Sequence, residues 1–224
     1  MLRKSKFTFL LKSEPTKKPT SQWVLDESKC LSMREVLKPR RYANRLRHQG
    51  FKNKQFSRIR EWFMVELGLQ AGLRVTEMAS LQHGHLYIDH TRSSLVFTGK
   101  GNKKRLVWVS ATFRQLCRIY LSYKKKFGYD LSNTSYLLNN LKGTQITKRA
   151  LQKNFTSMIE KAKLSSHFSI HCLRHTYATF LLKASNYNYR FVQRQLGHAS
   201  MRTTQTYAGI LESEGKKALE KLYK

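Results

Sequence analysis

The sequence predicts an α+β fold, a mainly helical domain with a small three-stranded antiparallel sheet at one edge. Hydrophobic residues make up 40% of the 224 residues and aromatic residues 12%, which is enough for a packed core. Hydrophobic residues follow helical patterns over two long stretches, and three short runs between these stretches are typical of β-strands. Helices followed by a small sheet and then by more helices indicate an α+β domain.

The first 30 residues show the least pattern. They are basic, contain two of the three prolines (Pro15 and Pro19) and have no hydrophobic periodicity. We interpret residues 1–30 as a flexible basic arm, which either contacts phosphate groups or is simply a solvated tail.

Three helices are predicted before the sheet. Ser32, followed three residues later by Glu35, has the pattern of a helix N-cap with a capping box. Pro39 is expected to interrupt or bend this helix near its start. A second, buried helix ends near Gly72, and residues 75–81 form a third, short helix.

The predicted sheet is a meander of three short strands. The strands cover residues 86–88, 95–97 and 106–109, and turn-forming segments separate them at residues 89–94 and 99–102.

Helices are predicted for most of the remaining chain. They lie near residues 111–126, 147–163, 171–184, 188–196, 201–208 and 211–222. We therefore divide the chain into the arm over residues 1–30, one domain over residues 31–210 and an amphipathic C-terminal helix over residues 211–224.

Charge is a strong indication of the partner. Lysine and arginine total 43 against 13 acidic residues, so the formal net charge is +30. A folded domain with this excess repels itself unless a polyanion neutralises it, and nucleic acid is the expected polyanion. An anionic membrane surface is the alternative, but the basic residues extend from Arg3 to Lys224 instead of forming one amphipathic stretch.

The sequence lacks the patterns of a membrane span or a disulfide framework. No apolar run approaches about 20 residues, and the run from Phe7 to Leu11 is too short for the apolar part of a signal peptide. Cys30, Cys117 and Cys172 have no metal-ligand spacing. We therefore expect a cytoplasmic protein with reduced cysteines and no membrane contact.

Cleaving a phosphodiester without a metal ion sets clear requirements for side chains. Arginine is a natural clamp for the phosphate, because its planar guanidinium meets two oxygens at once and keeps its charge. A lysine or histidine can protonate the leaving oxygen. A tyrosine hydroxyl can act as the nucleophile and store the bond energy as a phosphotyrosine.

Residues of these types occur in several segments. Arg74 follows a glycine between two helical patterns, and Glu77 lies three residues further on. Lys100 lies on a predicted β-turn. His171 and Arg174 open a helix and share one face, because they are three residues apart.

Tyr207 is the candidate nucleophile. It follows nine residues after His198 of a Gly-His pair and lies in a Thr-Thr-x-x-Tyr context. Four other tyrosines compete for this role, namely Tyr177, Tyr187, Tyr189 and Tyr223. None of them has this context after Gly-His.

A metal site is the alternative interpretation of two histidines. His171 and His175 have the i, i+4 spacing of metal ligands. However, Cys172 stands where a zinc peptidase has a glutamate, so we expect no metal.

The ordered set of an arginine, a lysine, His-x-x-Arg, Gly-His and a tyrosine resembles the tyrosine recombinases, also called phage integrases, and looks most like their Xer-type branch. The similarity covers roughly residues 30–212 in order. Each motif alone is modest, but the ordered set is highly specific. The resemblance implies the tyrosine recombinase catalytic fold. It also implies an enzyme that cleaves and rejoins DNA in integration, excision, inversion or resolution.

The resemblance implies a role for each candidate residue. Arg74 and Arg174 clamp the scissile phosphate. Lys100 is the general acid for the 5′-hydroxyl leaving group, although Lys103 and Lys104 compete with it for this role.

The remaining roles concern the nucleophile and the phosphate. His171 assists proton transfer with the nucleophile, and His198 donates a hydrogen bond to the phosphate. Tyr207 attacks and forms a 3′-phosphotyrosine. Glu77 is a carboxylate that orients the site and does not itself react.

The implied partners are double-stranded DNA and further copies of the chain, as a tetramer on DNA, with accessory DNA-bending proteins as additional partners. No metal or nucleotide cofactor is implied. Further DNA contacts are predicted at Lys103, Lys104, Arg105, His175 and Arg202. His175 has a structural role as its alternative. The C-terminal helix is expected to dock into a neighbouring protomer, or else to pack on its own domain.

The sequence departs from the family pattern at two places. Most tyrosine recombinases carry a separate N-terminal helical domain that closes around DNA, whereas only about 30 residues precede the catalytic pattern here. We therefore expect most of that domain to be missing and the high charge to compensate by binding the DNA backbone. Ser185-Asn186 replaces the usual glycine-containing turn, but asparagine tolerates a left-handed backbone and can still end the helix.

Two other functions compete with recombination. A type IB topoisomerase has similar catalytic chemistry but works as a monomer, which an exchanged C-terminal helix would contradict. A DNA-binding accessory protein that never cuts would not need all six catalytic groups.

Overall fold

The computed structural model describes residues 29–88, 93–98 and 104–197. Three helices precede the sheet: α1 (Met33–Lys52), α2 (Phe56–Ala71) and α3 (Val75–Ser80). A short 3₁₀ helix, His83–His85, leads into the strands β1 (Leu86–Ile88), β2 (Ser93–Thr98) and β3 (Lys104–Trp108). Four helices follow: α4 (Ala111–Lys126), α5 (Lys148–Lys161), α6 (His171–Ala184) and α7 (Tyr189–Leu196).

The predicted fold class is confirmed. The three strands form one antiparallel sheet in the order β1-β2-β3. Leu95 of β2 pairs with Leu86 of β1 and with Val107 of β3. Leu95 and Val107 are fully buried, so this row of side chains marks the face of the sheet that packs on the core.

Helix α1 begins as predicted but passes through its proline. The Ser32 N–H donates to Glu35 Oε2 over 2.9 Å, and the Glu35 N–H donates to Ser32 Oγ over 3.2 Å, which confirms the capping box. The expected interruption at Pro39 is wrong, because the helix continues to Lys52. Pro39 is one of the buried residues of α1, together with Val36, and α1 packs mainly on α2.

Helix α2 is the central element of the core. It packs against α1, α4 and α6, and most of its residues are buried, on all sides of the helix. The Phe63 ring stacks on the ring of Tyr120 from α4, with 4.0 Å between centroids. Since α2 is held on several sides, its C-terminal end is a rigid base for the segment that follows it.

The turn between α6 and α7 has a left-handed backbone. Helix α6 ends at Ala184, and Asn186 has a φ of +49°, which confirms the expectation for this residue. Tyr187 also has a positive φ, of +60°, and the sequence did not predict that. The turn brings α7 back onto α6, where Leu182 and Val192 are fully buried in a second apolar cluster.

Several predictions fall outside the described residues. These are the arm as far as residue 28, the predicted turn residues 89–92 and 99–102, and the helices predicted near 201–208 and 211–222. The first predicted turn also includes residues 93–94, but these belong to strand β2. The division of the chain into three parts stays a prediction. Within the part that the structure describes, no helix has the length and apolar character needed to cross a membrane.

Candidate functional site

Three arginines from separate parts of the chain surround the carboxylate of Glu77. Arg74 Nη1 donates to Glu77 Oε1 over 3.1 Å, and Arg105 Nη1 donates to the same oxygen at short range. Arg174 Nη1 lies 3.7 Å from Glu77 Oε2. The cluster therefore joins the start of α3, strand β3 and helix α6 at one carboxylate.

The position of Arg74 follows from the way α2 ends. Gly72 closes α2 with a left-handed φ of +60°, and a Cβ at this position would lie 2.3 Å from Cδ1 of Tyr177. The chain is extended at Arg74, the N-cap residue of α3, whose N–H donates to Glu77 Oε2 over 2.7 Å. A carboxylate in the first turn of a helix is a favourable acceptor for this N–H.

Arg74 and Arg174 differ sharply in exposure. The Arg74 side chain is 36% exposed, whereas that of Arg174 is only 2% exposed. Arg174 Nη1 donates to the carbonyl of Gly72 over 2.6 Å, and its Nη2 donates to the carbonyl of Leu196 over 2.7 Å. Arg174 therefore ties the end of α2 to the end of α7.

Arg105 is held inside the protein. Its side chain is 14% exposed, and its Nη2 donates to the carbonyl of Gln195 over 2.7 Å. Burial lowers the pKa of the guanidinium, and the neighbouring Glu77 opposes this shift. The sequence predicts that Arg105 contacts DNA, and a DNA contact is expected at the surface, whereas the Arg105 side chain is largely buried.

The two histidines of α6 have different surroundings. His171, the first residue of α6, is half-buried, and burial together with the nearby charge of Arg174 lowers its pKa. It therefore favours the neutral imidazole, which can accept a proton at neutral pH. His175 is buried, so its ring is also not presented as a surface DNA contact.

The C-terminal end of α7 receives two of the arginines. The last carbonyls of a helix have no partner within the helix, and here Arg105 and Arg174 donate to those of Gln195 and Leu196. Gly197 then leaves the helix with a φ of +62°, and a Cβ there would lie 2.3 Å from Cδ of Arg105. The glycine of the Gly-His motif is therefore required both by its backbone conformation and by close packing.

Gln195 and Tyr177 complete this region. Sequence reasoning missed Gln195 and considered Tyr177 only as a competing nucleophile. The Gln195 side chain is buried and donates to the hydroxyl of Tyr177 over 3.2 Å. Burial raises the pKa of Tyr177. A signal for Gln195 exists in the sequence, because it stands three residues after Val192 and next to Leu196, on the apolar face of α7.

Five further predicted site residues, and the side chain of a sixth, lie outside the described part of the chain. Lys100, Lys103, His198, Arg202 and Tyr207 lie outside the described residues, and Lys104 begins β3 with a side chain that is also outside them. Among the residues described, no group of three or more histidines, cysteines, aspartates or glutamates could hold a metal ion.

The described arrangement is suited to binding an anion. Three guanidinium groups face one carboxylate, so the cluster keeps an excess of positive charge. Planar guanidinium groups held in fixed positions are well matched to phosphate oxygens. Arg74 is the most exposed member and therefore the first that an incoming anion would meet.

The sequence of this chain is similar to one family of known proteins. The model of the phage integrase family matches residues 22–214. The tyrosine recombinase XerC of Vibrio cholerae serotype O1 is 35% identical over 152 residues, which cover 68% of this chain and 47% of that protein. XerC of Neisseria gonorrhoeae is 33% identical over 152 residues, which cover 68% and 48%. The chain thus spans about half the length of these relatives.

Solved structures share the fold. The XerH site-specific recombinase bound to difH substrate superposes with a TM-score of 0.67 and 24% identity, over 84% of this chain and 52% of that one. The XerA recombinase gives a TM-score of 0.66 and 22% identity, over 94% and 67%. A lambda integrase dimer bound to a COC′ core site gives 0.55 and 17%, over 80% and 47%.

Proposed function

The chain belongs to the phage integrase family, and from this premise we propose that it is a tyrosine-type site-specific DNA recombinase. It would cleave and rejoin DNA strands through a covalent 3′-phosphotyrosine. The observation that carries the proposal is the meeting of Arg74 and Arg174, 100 residues apart in sequence, at the carboxylate of Glu77. Among the solved structures with this fold, XerH is described as a site-specific recombinase bound to difH substrate, and the Tn1549 transposon integrase as a complex with transposon right end DNA.

The proposed reaction is a transesterification at phosphorus. The hydroxyl oxygen of Tyr207 attacks the scissile phosphate, a bond from tyrosine to phosphorus forms, and the bond to the 5′ oxygen breaks. His171 assists removal of the tyrosine proton, and Lys100 protonates the departing 5′ oxygen. Attack by a 5′-hydroxyl on the phosphotyrosine reverses these steps, so rejoining needs no external energy source.

The arginines stabilise the negative charge that grows on the phosphate oxygens in the transition state. Guanidinium groups held in position before the reaction contribute most at this point. Glu77 keeps Arg74 and Arg174 in place, and His198 adds a hydrogen bond to the phosphate. Because Arg174 is only 2% exposed, a phosphate can reach it only if the surrounding chain opens a path on DNA binding.

DNA is the proposed partner, and most of the affinity comes from its backbone. A net charge of +30 attracts phosphates without regard to base sequence, and binding then releases counterions from DNA. We further propose a tetramer on DNA, in which the C-terminal helix over residues 211–222 docks into a neighbouring protomer. Accessory DNA-bending proteins and a cytoplasmic location complete the proposal.

A nicked substrate that traps the covalent intermediate tests this function. The protein is mixed with a library of randomised duplexes in which cleavage releases a short strand, and attached DNA is recovered and sequenced. Wild-type protein should form an adduct that resists denaturant. Tyr207→Phe should bind the recovered duplex with unchanged affinity but form no adduct, because the attacking oxygen is gone.

The control is Tyr189→Phe, since Tyr189 is a competing tyrosine on α7 that lies within the described part of the chain. It should form the adduct at the wild-type rate. An adduct in Tyr207→Phe would contradict the assignment of the nucleophile. DNA binding by the wild-type protein without any adduct would indicate a non-cutting accessory protein, and relaxation of supercoiled DNA at any sequence would indicate a topoisomerase.

A further inference from the structure

The buried Gln195 links the end of α7 to two other elements. Its side-chain oxygen accepts a hydrogen bond from the N–H of Trp108 over 2.9 Å, and its side-chain nitrogen donates to the carbonyl of Trp108 over 2.9 Å. The same nitrogen donates to the hydroxyl of Tyr177 over 3.2 Å. Only 3% of Gln195 is exposed, so these bonds are shielded from water.

The bonds to Trp108 complete the outer edge of the sheet. Trp108 of β3 pairs with Ser94 of β2. Among the residues that the structure describes, no further strand pairs with the other edge of β3. The carboxamide of Gln195 offers one donor and one acceptor to this edge, as the main chain of a further strand would. The end of α7 is thereby fixed in position along β3.

The fixed position determines where two carbonyls lie. The carbonyl of Gln195 accepts from Arg105, and that of Leu196 accepts from Arg174, each over 2.7 Å. Both arginines also face Glu77. A change in the orientation of the last turn of α7 would therefore move the acceptors that orient both guanidinium groups.

We propose that Gln195 is a positioning residue for strand cleavage, which acts by holding the last turn of α7 so that Arg174 faces the scissile phosphate correctly. The proposal rests on the proposed function. Gln195 does not touch the DNA in this mechanism, and its effect passes through the two carbonyls and the arginines. If Gln195 has only a structural role, its loss should lower the stability of the protein, but the effect on cleavage should not depend on the negative charge of the scissile phosphate.

The main test compares Gln195→Leu with the control Gln152→Leu, the same substitution at an exposed position of α5. Leucine keeps the apolar bulk but loses the bonds to Trp108 and Tyr177. At saturating DNA and well below the melting temperature, Gln195→Leu should form the covalent adduct roughly 10- to 100-fold more slowly, which is the cost of small misplacements in a catalytic site. The dissociation constant of Gln195→Leu for DNA should stay within about twofold of wild type, since backbone contacts dominate affinity. The adduct rate of Gln152→Leu should also stay within about twofold of wild type, because this side chain is exposed.

A second substrate separates positioning from structure. In it a methyl group replaces one non-bridging oxygen of the scissile phosphate, so that one negative charge is lost. If Gln195 acts by orienting a guanidinium toward that charge, the deficit of Gln195→Leu relative to wild type should shrink to a few-fold or less on the methylphosphonate. Equal deficits on the two substrates, or no deficit on either, would overturn the proposal.

Tyr177→Phe keeps the test decisive if Gln195→Leu does not fold. It removes one hydroxyl and leaves both bonds to Trp108, and it should show a smaller deficit with the same dependence on substrate. A deficit equal on both substrates would count against the proposal here too. Wild-type protein that forms no adduct would overturn the proposed function itself, whereas wild-type cleavage with equal deficits would overturn only the role of Gln195.

Discussion

Glu77→Gln is the substitution that most directly tests the arginine cluster. It keeps the shape of the side chain and removes the one charge that three guanidinium groups share. A glutamine side chain also presents an NH₂ group, which cannot accept from an arginine. At least one of the existing bonds would therefore be replaced by two donors that face each other.

The expected loss of stability can be worked from the exposure of each partner. Removing one partner of a buried ion pair costs about 3–5 kcal/mol. Arg74 is 36% exposed and can be solvated instead, whereas Arg105 and Arg174 are largely buried and cannot. We therefore expect Glu77→Gln to lower the free energy of unfolding by about 3 kcal/mol, at the lower end of that range. For a chain of this size this is a fall in Tm of roughly 6–12 °C.

Thermal and urea denaturation followed by circular dichroism measure both quantities. The matched control is Glu35→Gln, because Glu35 makes its capping contact at the surface and glutamine can serve in a capping box. The control should change Tm by less than about 2 °C. If Glu77→Gln has the same Tm as the control Glu35→Gln, the argument is refuted, since the carboxylate would then not neutralise the buried arginines.

Three further predictions concern pH, packing and salt. Burial and then the neighbouring Lys124 lower the pKa of His83 to about 4; the unfolded chain therefore binds this proton first, and stability should be lost as the pH falls from about 6.5 to 4. His83→Gln should flatten the unfolding free energy across that window, and an unchanged slope would contradict the assignment. Gly197→Ala should lower Tm more than Gly143→Ala, because both have a positive φ but only Gly197 would bring a Cβ against Arg105; equal losses in the two variants would argue against close packing. The logarithm of the DNA association constant should fall steeply and linearly with the logarithm of salt concentration, and a flat response in a filter-binding titration would contradict backbone-dominated binding.

Local signals in the sequence were sufficient for most of the fold. The capping box at Ser32 and the end of the second helix near Gly72 each depend on residues within one turn, so their patterns could be recognised without knowledge of tertiary contacts. The same holds for the helices at residues 111–126 and 171–184, whose bounds match the structure. Pro39 shows the limit of local rules, because the helix continues through a buried proline, and burial depends on tertiary packing that local rules do not include.

Arg105 shows why part of the site was not predicted. Its neighbours Lys103 and Lys104 are typical of a basic surface turn, so the sequence predicts that Arg105 contacts DNA together with them. Alternation along β3 points the other way, because Arg105 shares a face with the buried Val107. The alternation of side chains along β3 therefore indicates that Arg105 points toward the core. Its ion-pair partner Glu77, which makes a buried arginine tolerable, lies 28 residues earlier in the chain, so the strand pattern does not identify it.

The cluster also explains how a chain with so much positive charge can form this site without DNA. Three guanidinium groups that meet would repel one another, and Glu77 supplies the compensating charge in the free protein. The carboxylate balances only one of the three charges, so the excess that remains can attract a second anion. Folding and phosphate binding thus draw on the same arginines. Replacing Glu77 by an uncharged residue would strengthen the attraction for a phosphate but remove one of the contacts that orient the arginines, and catalysis depends on that orientation more than on the net charge.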